Sequence, residues 1–69
     1  MIFVFKTSVK TKKQIKAFKP QIDNILLKGK WNFDLDDCDK ILRIESEENV
    51  VREIQKLLNI HHFYCEELD

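Results

Sequence analysis

Glycine and proline are almost absent from this chain, with one of each among 69 residues. So little of either argues against linkers and disorder, and the sequence holds no internal repeat or low-complexity tract. A chain of this length buries only about 60% of the surface that its unfolded form exposes. The sequence therefore predicts a single domain over residues 1–69, without room for a second domain or a deep substrate cavity.

Paired cysteines are also missing. Cys38 and Cys65 lie far apart and form no Cys-x-x-Cys motif, which argues against a disulfide framework and favours reduced thiols in the cytoplasm. The opening run, "MIFVFK", has no basic leader and is too short for a signal peptide or a membrane span. We therefore expect a cytoplasmic protein that makes no membrane contact.

The net charge of the whole chain is zero, but the two halves of the chain carry opposite net charges. Residues 1–30 hold eight lysines and one acid, Asp23, for a net charge of +7, and residues 31–69 carry −7. The two halves could neutralise each other within one small fold. Alternatively, the basic half could form a surface that docks an acidic partner.

The first half of the chain predicts a strand and a helix. The run Ile2–Lys6 is β-branched and aromatic, as expected of a strand. Thr11 and Gln14 have the spacing of a capping box at a helix start. A helical stripe of apolar residues follows, at Ile15, Phe18, Ile22, Ile25 and Leu26. Pro20 should kink this helix without ending it, and Gly29 should end it.

The second half predicts a hairpin, a helix and a last strand. Residues Trp31–Asp37 alternate as a half-buried strand, and Lys40–Glu45 form the next one. Ser46 is expected to cap the second helix, with Glu47 and Glu48 in its first turn. Asn59 should end that helix in a left-handed conformation, before a strand over His62–Leu68.

The predicted order is βαββαβ, which is typical of the ferredoxin-like α+β sandwich, with two helices on one face of a four-stranded antiparallel sheet. In this topology the first loop, the hairpin turn and the loop before the last strand share one end of the sheet. We therefore expect residues 9–14, Cys38 and the pair His61–His62 at that end. Cys38 and the histidines should lie on opposite sides of it, because the second and fourth strands are the edges.

Three segments resemble the heavy-metal-associated domain family, which includes copper chaperones and modules of metal-pumping ATPases. The segment "FKTSVKTKKQIKAFKP" is similar to the family's first strand, loop and helix, including the Phe-Lys-Thr strand end and the internal proline of small bacterial members. The segment "WNFDLDDCDKILRIES" resembles the hairpin, and "HHFYCEEL" resembles the terminal strand. The resemblance covers nearly the whole chain and implies the same fold.

The sequence departs from this family at its metal ligands. Aligning Val9 with the family's loop methionine puts Thr11 and Gln14 where the two cysteines belong. Soft metals such as Cu(I) bind anionic, polarisable thiolates, which a hydroxyl and an amide cannot replace. Lys12 and Lys13 add positive charge between the two positions. We therefore expect a degenerate member of the family, without the thiolate metal site and without a cofactor.

Metal binding through other residues remains an alternative. His61, His62 and Cys38 offer the ligand types for copper or zinc, but no second cluster stands at metal-ligand spacing. Cys38 lies between Asp37 and Asp39, whose charges disfavour a reactive thiolate. Two solvent-exposed loop histidines are the simpler interpretation, and a site shared between two molecules is the form that this alternative would take.

Enzyme and RNA-binding functions are disfavoured by what the sequence contains. No nucleophile–base pair or cofactor loop is visible, so we expect no catalysis. The RNA recognition motif shares this fold but needs stacking aromatics on the third strand, where this chain has "KILRIE". We therefore predict no nucleic-acid partner.

Two surfaces remain as candidates for protein contact. Chaperones of the resembled family dock acidic domains with basic residues on the first helix, which implies the same role for Lys10, Lys12, Lys13, Lys16 and Lys19. If Phe3 and Phe5 point under the helices, an apolar strip lies on the open face of the sheet, at Ile2, Val4, Ile41 and Tyr64. That strip could support a homodimer.

Overall fold

A computed structural model describes residues 1–35 and 40–68. The elements are β1 (Ile2–Thr7), α1 (Lys12–Ile25), β2 (Lys30–Asp34), β3 (Ile41–Glu45), α2 (Val51–Ile60) and β4 (Cys65–Leu68). The strands pair antiparallel in the order β2-β3-β1-β4, so β2 and β4 are the edges of the described sheet. This is the predicted ferredoxin-like α+β fold.

The core lies between the sheet and the two helices. Alternation along β1 turns Phe3 and Phe5 towards the helices, as expected, and Leu42 and Ile44 of β3 lie opposite them. The helices contribute the buried residues Phe18, Ile22, Ile54, Leu57 and Leu58. Val9, in the loop before α1, is fully buried among them. Burial of apolar surface, at roughly 25 cal/mol per Å², thus holds the two layers together.

The start of α1 agrees with the sequence, and its end does not. Pro20 lies within the helix, which continues to Ile25 as its apolar stripe predicts. The expectation that Gly29 ends the helix was wrong, because Leu26 is already the C-cap and Gly29 has a negative φ. Gly29 is needed for space. A Cβ at this position would lie 2.6 Å from the carbonyl oxygen of Glu45 on β3.

The predicted start of α2 was also wrong. Ser46 does not cap the helix, and Glu47 and Glu48 lie before its first turn, which begins at Val51. Ser46 instead continues the pairing of β3 with the chain start, since its amide donates to the Met1 carbonyl and its own carbonyl accepts from the Met1 amine. The buried Val50 takes the N-cap position, where its apolar side chain satisfies no backbone amide.

The end of α2 also differs from the prediction. Asn59 remains within the helix, and His62 is the residue with positive φ, at 67°. The amide of His62 bonds to the Asn59 carbonyl, and the amide of Phe63 bonds to the Leu58 carbonyl. These bonds occupy the segment expected to begin the last strand, so β4 starts only at Cys65.

The hairpin strands are shorter than predicted where they can be compared. β2 begins one residue early, at Lys30, and ends at Asp34. β3 begins at Ile41, because Lys40 takes a positive φ of 51° that a strand does not adopt. The predicted strand end at Asp36 and Asp37 lies outside the described residues, as does Cys38 in the turn.

Candidate functional site

The loop between β1 and α1 is fixed at both sides. The Thr7 hydroxyl donates to the Lys40 carbonyl at 2.7 Å and accepts from the Val9 amide at 3.3 Å. The next residue, Ser8, exchanges backbone and side-chain bonds with Tyr64, including a 2.8 Å bond from the Tyr64 amide to the Ser8 hydroxyl. The first loop therefore meets the start of β3 and the loop before β4 at one end of the sheet, as the topology predicts.

The capping box forms as the sequence predicts. The Thr11 hydroxyl accepts from the Gln14 amide at 3.1 Å, and the Gln14 side-chain carbonyl accepts from the amides of Thr11 and Lys10, at 3.2 and 2.8 Å. The oxygens that would stand where the resembled family has sulfur are thus already bonded to backbone amides. Their chemistry here is structural, since they satisfy donors that the helix start leaves open.

Five exposed lysines surround this helix start, and we call them the basic surface: Lys10, Lys12, Lys13, Lys16 and Lys19. Lys12 and Lys13 lie in the first turn of α1, at the positive end of the helix dipole. Lys19 differs from the others in making an ion pair of 3.0 Å with Asp23, one turn further along. The positive charge is therefore concentrated at the start of the helix.

Asp23 links α1 to β2, a contact that the sequence analysis missed. One carboxylate oxygen accepts from the Trp31 indole at 2.7 Å, and the other accepts from Lys19. The indole bond, and after it the bond from Lys19, lowers the pKa of Asp23 below its ordinary value. The sequence singles out both residues, because Asp23 is the one acid in residues 1–30 and Trp31 is the one tryptophan.

The predicted histidines take separate, structural positions. His61 packs edge-on against Phe18 of α1, with ring centroids 5.1 Å apart. Its Nε2 atom also lies 3.3 Å from the side-chain carbonyl of Gln21. His62 forms the turn with positive φ that follows α2. His61 thus joins the end of α2 to α1, a contact that loop position alone did not indicate.

Metal-ligand types do not gather in the described part of the chain. Within residues 1–35 and 40–68, no three His, Cys, Asp or Glu side chains are placed to hold a metal ion. Cys38, the thiol of the alternative metal site, lies outside these residues. Cys65 faces the helix side of the sheet beside Thr7, and burial raises the pKa of its thiol to about 12. It is therefore protonated at neutral pH and packs as a small hydrophobic side chain.

The open face of the sheet is less apolar than the sequence predicts. Ile2 and Tyr64 are exposed, at 67% and 50%, but Ile41 is only 6% exposed and adds little to the surface. Charged cross-strand neighbours flank the strip, with Lys6 opposite both Ile41 and Glu66. The Tyr64 hydroxyl donates to the Glu66 carboxylate, a bond that raises the pKa of the phenol. This face is consequently mixed in character.

Neither helix of the described chain is long and apolar enough to cross a membrane. Models of known protein families, curated proteins and solved structures gave no match to this chain.

Proposed function

We propose that this chain is a cytoplasmic, non-enzymatic domain of the heavy-metal-associated type that has lost the thiolate site and docks an acidic protein partner. The docking site is the basic surface on α1. The support is the resemblance in sequence, the ferredoxin-like fold and the exposure of all five lysines on one helix and the loop before it.

The observation that carries this proposal is the placement of Lys12 and Lys13. Both lie in the first turn of α1, where the helix dipole favours acidic side chains and disfavours basic ones by about 0.3–1 kcal/mol each. Lys16 follows Lys12 by four residues, a spacing at which like charges repel. These three lysines destabilise the helix that carries them. Contact with an acidic partner accounts for their presence.

The capping box supports the same proposal by fixing the backbone that carries these side chains. The reciprocal bonds of Thr11 and Gln14 hold the first turn, and the Ser8–Tyr64 bonds hold the loop before it. A rigid backbone reduces the ordering that docking requires. The Cα positions of these lysines would therefore need no rearrangement when a partner binds.

Charge reversal tests the docking surface. The variant with Lys12→Glu, Lys13→Glu and Lys16→Glu is compared with a matched control, Lys28→Glu with Arg52→Glu and Lys56→Glu, which changes the same net charge at other exposed positions. We expect the immobilised wild-type chain and the control to capture a partner from nuclease-treated lysate in a salt-sensitive manner, and the first variant to lose it.

Lysine acetylation, mapped by mass spectrometry, locates the contact in the captured complex. Protection of Lys12, Lys13 and Lys16 on binding is the expected result. Equal capture by both triple variants, equal loss by both, or capture that nuclease abolishes would each contradict the proposal.

The family assignment has a separate test in the pair Thr11→Cys with Gln14→Cys. If these positions correspond to the family's ligands, the double variant gains stoichiometric Cu(I) binding, measured by native mass spectrometry in the presence of a competing chelator. Cys38→Ser in the same background removes the thiol of the alternative metal site. Wild-type chain that retains Cu(I) or Zn(II) against the chelator would favour metal binding through His61, His62 or Cys38 instead.

A further inference from the structure

The outer edge of β2 is the feature that the proposed function does not use. β2 pairs with β3 on one side and forms an edge of the described sheet on the other. Beside this edge an open groove of about 420 Å³ runs between β2 and α1, lined by Ile15, Lys19, Asp23, Trp31 and Phe33. An edge strand with a partly apolar groove beside it can accept another strand.

The two faces of β2 have different chemistry. Lys30, Asn32 and Asp34 lie on the open face of the sheet, opposite Glu45, Arg43 and Ile41 of β3. Trp31 and Phe33 lie on the helix face and pack edge-to-face, with ring centroids 5.9 Å apart. The bond from Trp31 to Asp23 fixes the indole, so these aromatic side chains are held in place before any second strand arrives.

The sequence of β2, "KWNFD", is complementary to itself when read in the opposite direction. In an antiparallel pair centred on Asn32, Lys30 of one copy lies opposite Asp34 of the other. Trp31 lies opposite Phe33, and Asn32 lies opposite Asn32. Opposite charges and paired aromatics are the cross-strand combinations that stabilise antiparallel strands.

We propose that this chain forms a homodimer by antiparallel pairing of β2 with β2 of a second copy, about a two-fold axis at Asn32. Each lysine–aspartate pair and each tryptophan–phenylalanine pair then occurs twice, as the symmetry of a two-fold interface requires. Another protein's strand would need this same alternation of charges and aromatics, whereas a second copy always supplies it. The dimer is independent of the basic surface.

The interface is small, since each strand contributes five residues. Interfaces of this size are typical of weak contacts, and we expect a dissociation constant on the order of 0.1 mM. Sedimentation equilibrium of the purified chain, from micromolar to millimolar concentration, measures it. A chain that stays monomeric over that range overturns the proposal.

Asn32→Asp is the most informative variant, because it favours strand pairing within one chain and opposes strand pairing between two chains. Within the chain the new carboxylate faces Arg43, so the fold retains a favourable cross-strand neighbour. At the two-fold axis the same carboxylate faces its copy, and like charges directly opposite destabilise pairing. We expect dimerisation roughly tenfold weaker than in the matched control Asn32→Ser.

A charge exchange tests the register. Lys30→Asp alone brings two pairs of acids together and should abolish the dimer, whereas Lys30→Asp combined with Asp34→Lys restores the opposite charges and should recover it. Circular dichroism checks the fold of each variant. A dimer that survives Asn32→Asp and is lost on Ile2→Lys, at the open face, would place the interface on that face and overturn the β2 assignment.

Discussion

Asp23 is the one acid among the first thirty residues, and its surroundings explain its presence there. It accepts from the indole of Trp31 and from the ammonium of Lys19, so a single carboxylate ties α1 to β2. The positive charge of Lys19 also favours its charged form. At the scale of one residue, this side chain aligns the helix with the edge strand whose aromatic groups line the adjacent groove.

The lowered pKa of Asp23 makes its contribution to stability depend on pH. The fold favours the charged carboxylate, so the stabilisation is complete above the ordinary aspartate pKa and is lost as the pH falls through the lowered value. Unfolding in urea, followed by Trp31 fluorescence, should show wild type more stable than Asp23→Asn near pH 7, with the difference shrinking in acid.

Two further variants separate the causes of this shift. Trp31→Phe removes the indole bond, which is the largest single cause, and Lys19→Met removes both a hydrogen bond and a positive charge, so each variant should raise the pKa of Asp23. NMR titration of the Asp23 carboxyl carbon measures both. An unchanged pKa in either variant, or a wild-type pKa at the ordinary value, would contradict the assigned geometry.

At the scale of the element, the first turn of α1 combines a favourable cap with unfavourable charges. Thr11 and Gln14 satisfy backbone donors, whereas Lys12 and Lys13 oppose the dipole. Lys12→Glu and Lys13→Glu should therefore each stabilise the fold by about 0.3–1 kcal/mol at low salt. Lys28→Glu, beyond the end of the helix, should change stability little.

Urea unfolding at low and high salt measures this effect, because salt screens a dipole–charge interaction. Variants that gain stability but lose the captured partner would show that the lysines serve binding at the expense of the helix. Loss of stability in both variants would instead mean that these lysines make contacts in the folded state, and that those contacts stabilise it by more than the repulsion from the helix dipole destabilises it.

The capping box illustrates what the sequence can predict at this scale. Thr11 and Gln14 are three residues apart, so the signal and the structure that it specifies are both local. The amphipathic stripes and the strand alternation are local in the same sense, and together they predicted the order of elements and the buried face of α1. The exposed lysines followed from the same stripe.

The errors arise where distant contacts override local preferences. Serine is a residue type that commonly caps helices, but the backbone of Ser46 pairs with Met1, 45 residues away, and α2 starts only at Val51. The bonds between Trp31 and Asp23 and between His61 and Gln21 likewise join different elements. No local pattern specifies such pairs, since their partners come together only when the layers pack.

At the scale of the whole molecule, the edge of β2 and the basic surface lie on the same side of the core. α1 borders the groove beside β2, and pairing of Trp31 with Phe33 of a second copy keeps the helices of both copies on one face of the joined sheet. Because the two β2 strands run antiparallel, the proposed dimer places the two helix starts, with their basic surfaces, towards opposite ends of that face. A partner with two acidic segments would bind such a pair with increased avidity.

The sheet order also determines when the protein can fold during its synthesis. β1 leaves the ribosome before the other three strands, yet it lies between β3 and β4, and its pairing of Val4 with Leu68 joins opposite ends of the described chain. One edge of β1 therefore has its native neighbour only after β4 has emerged. Until then the Ser8–Tyr64 bonds cannot form, and the loop that carries Lys10, the first lysine of the basic surface, is held on one side alone. A nascent chain thus acquires its finished docking surface last.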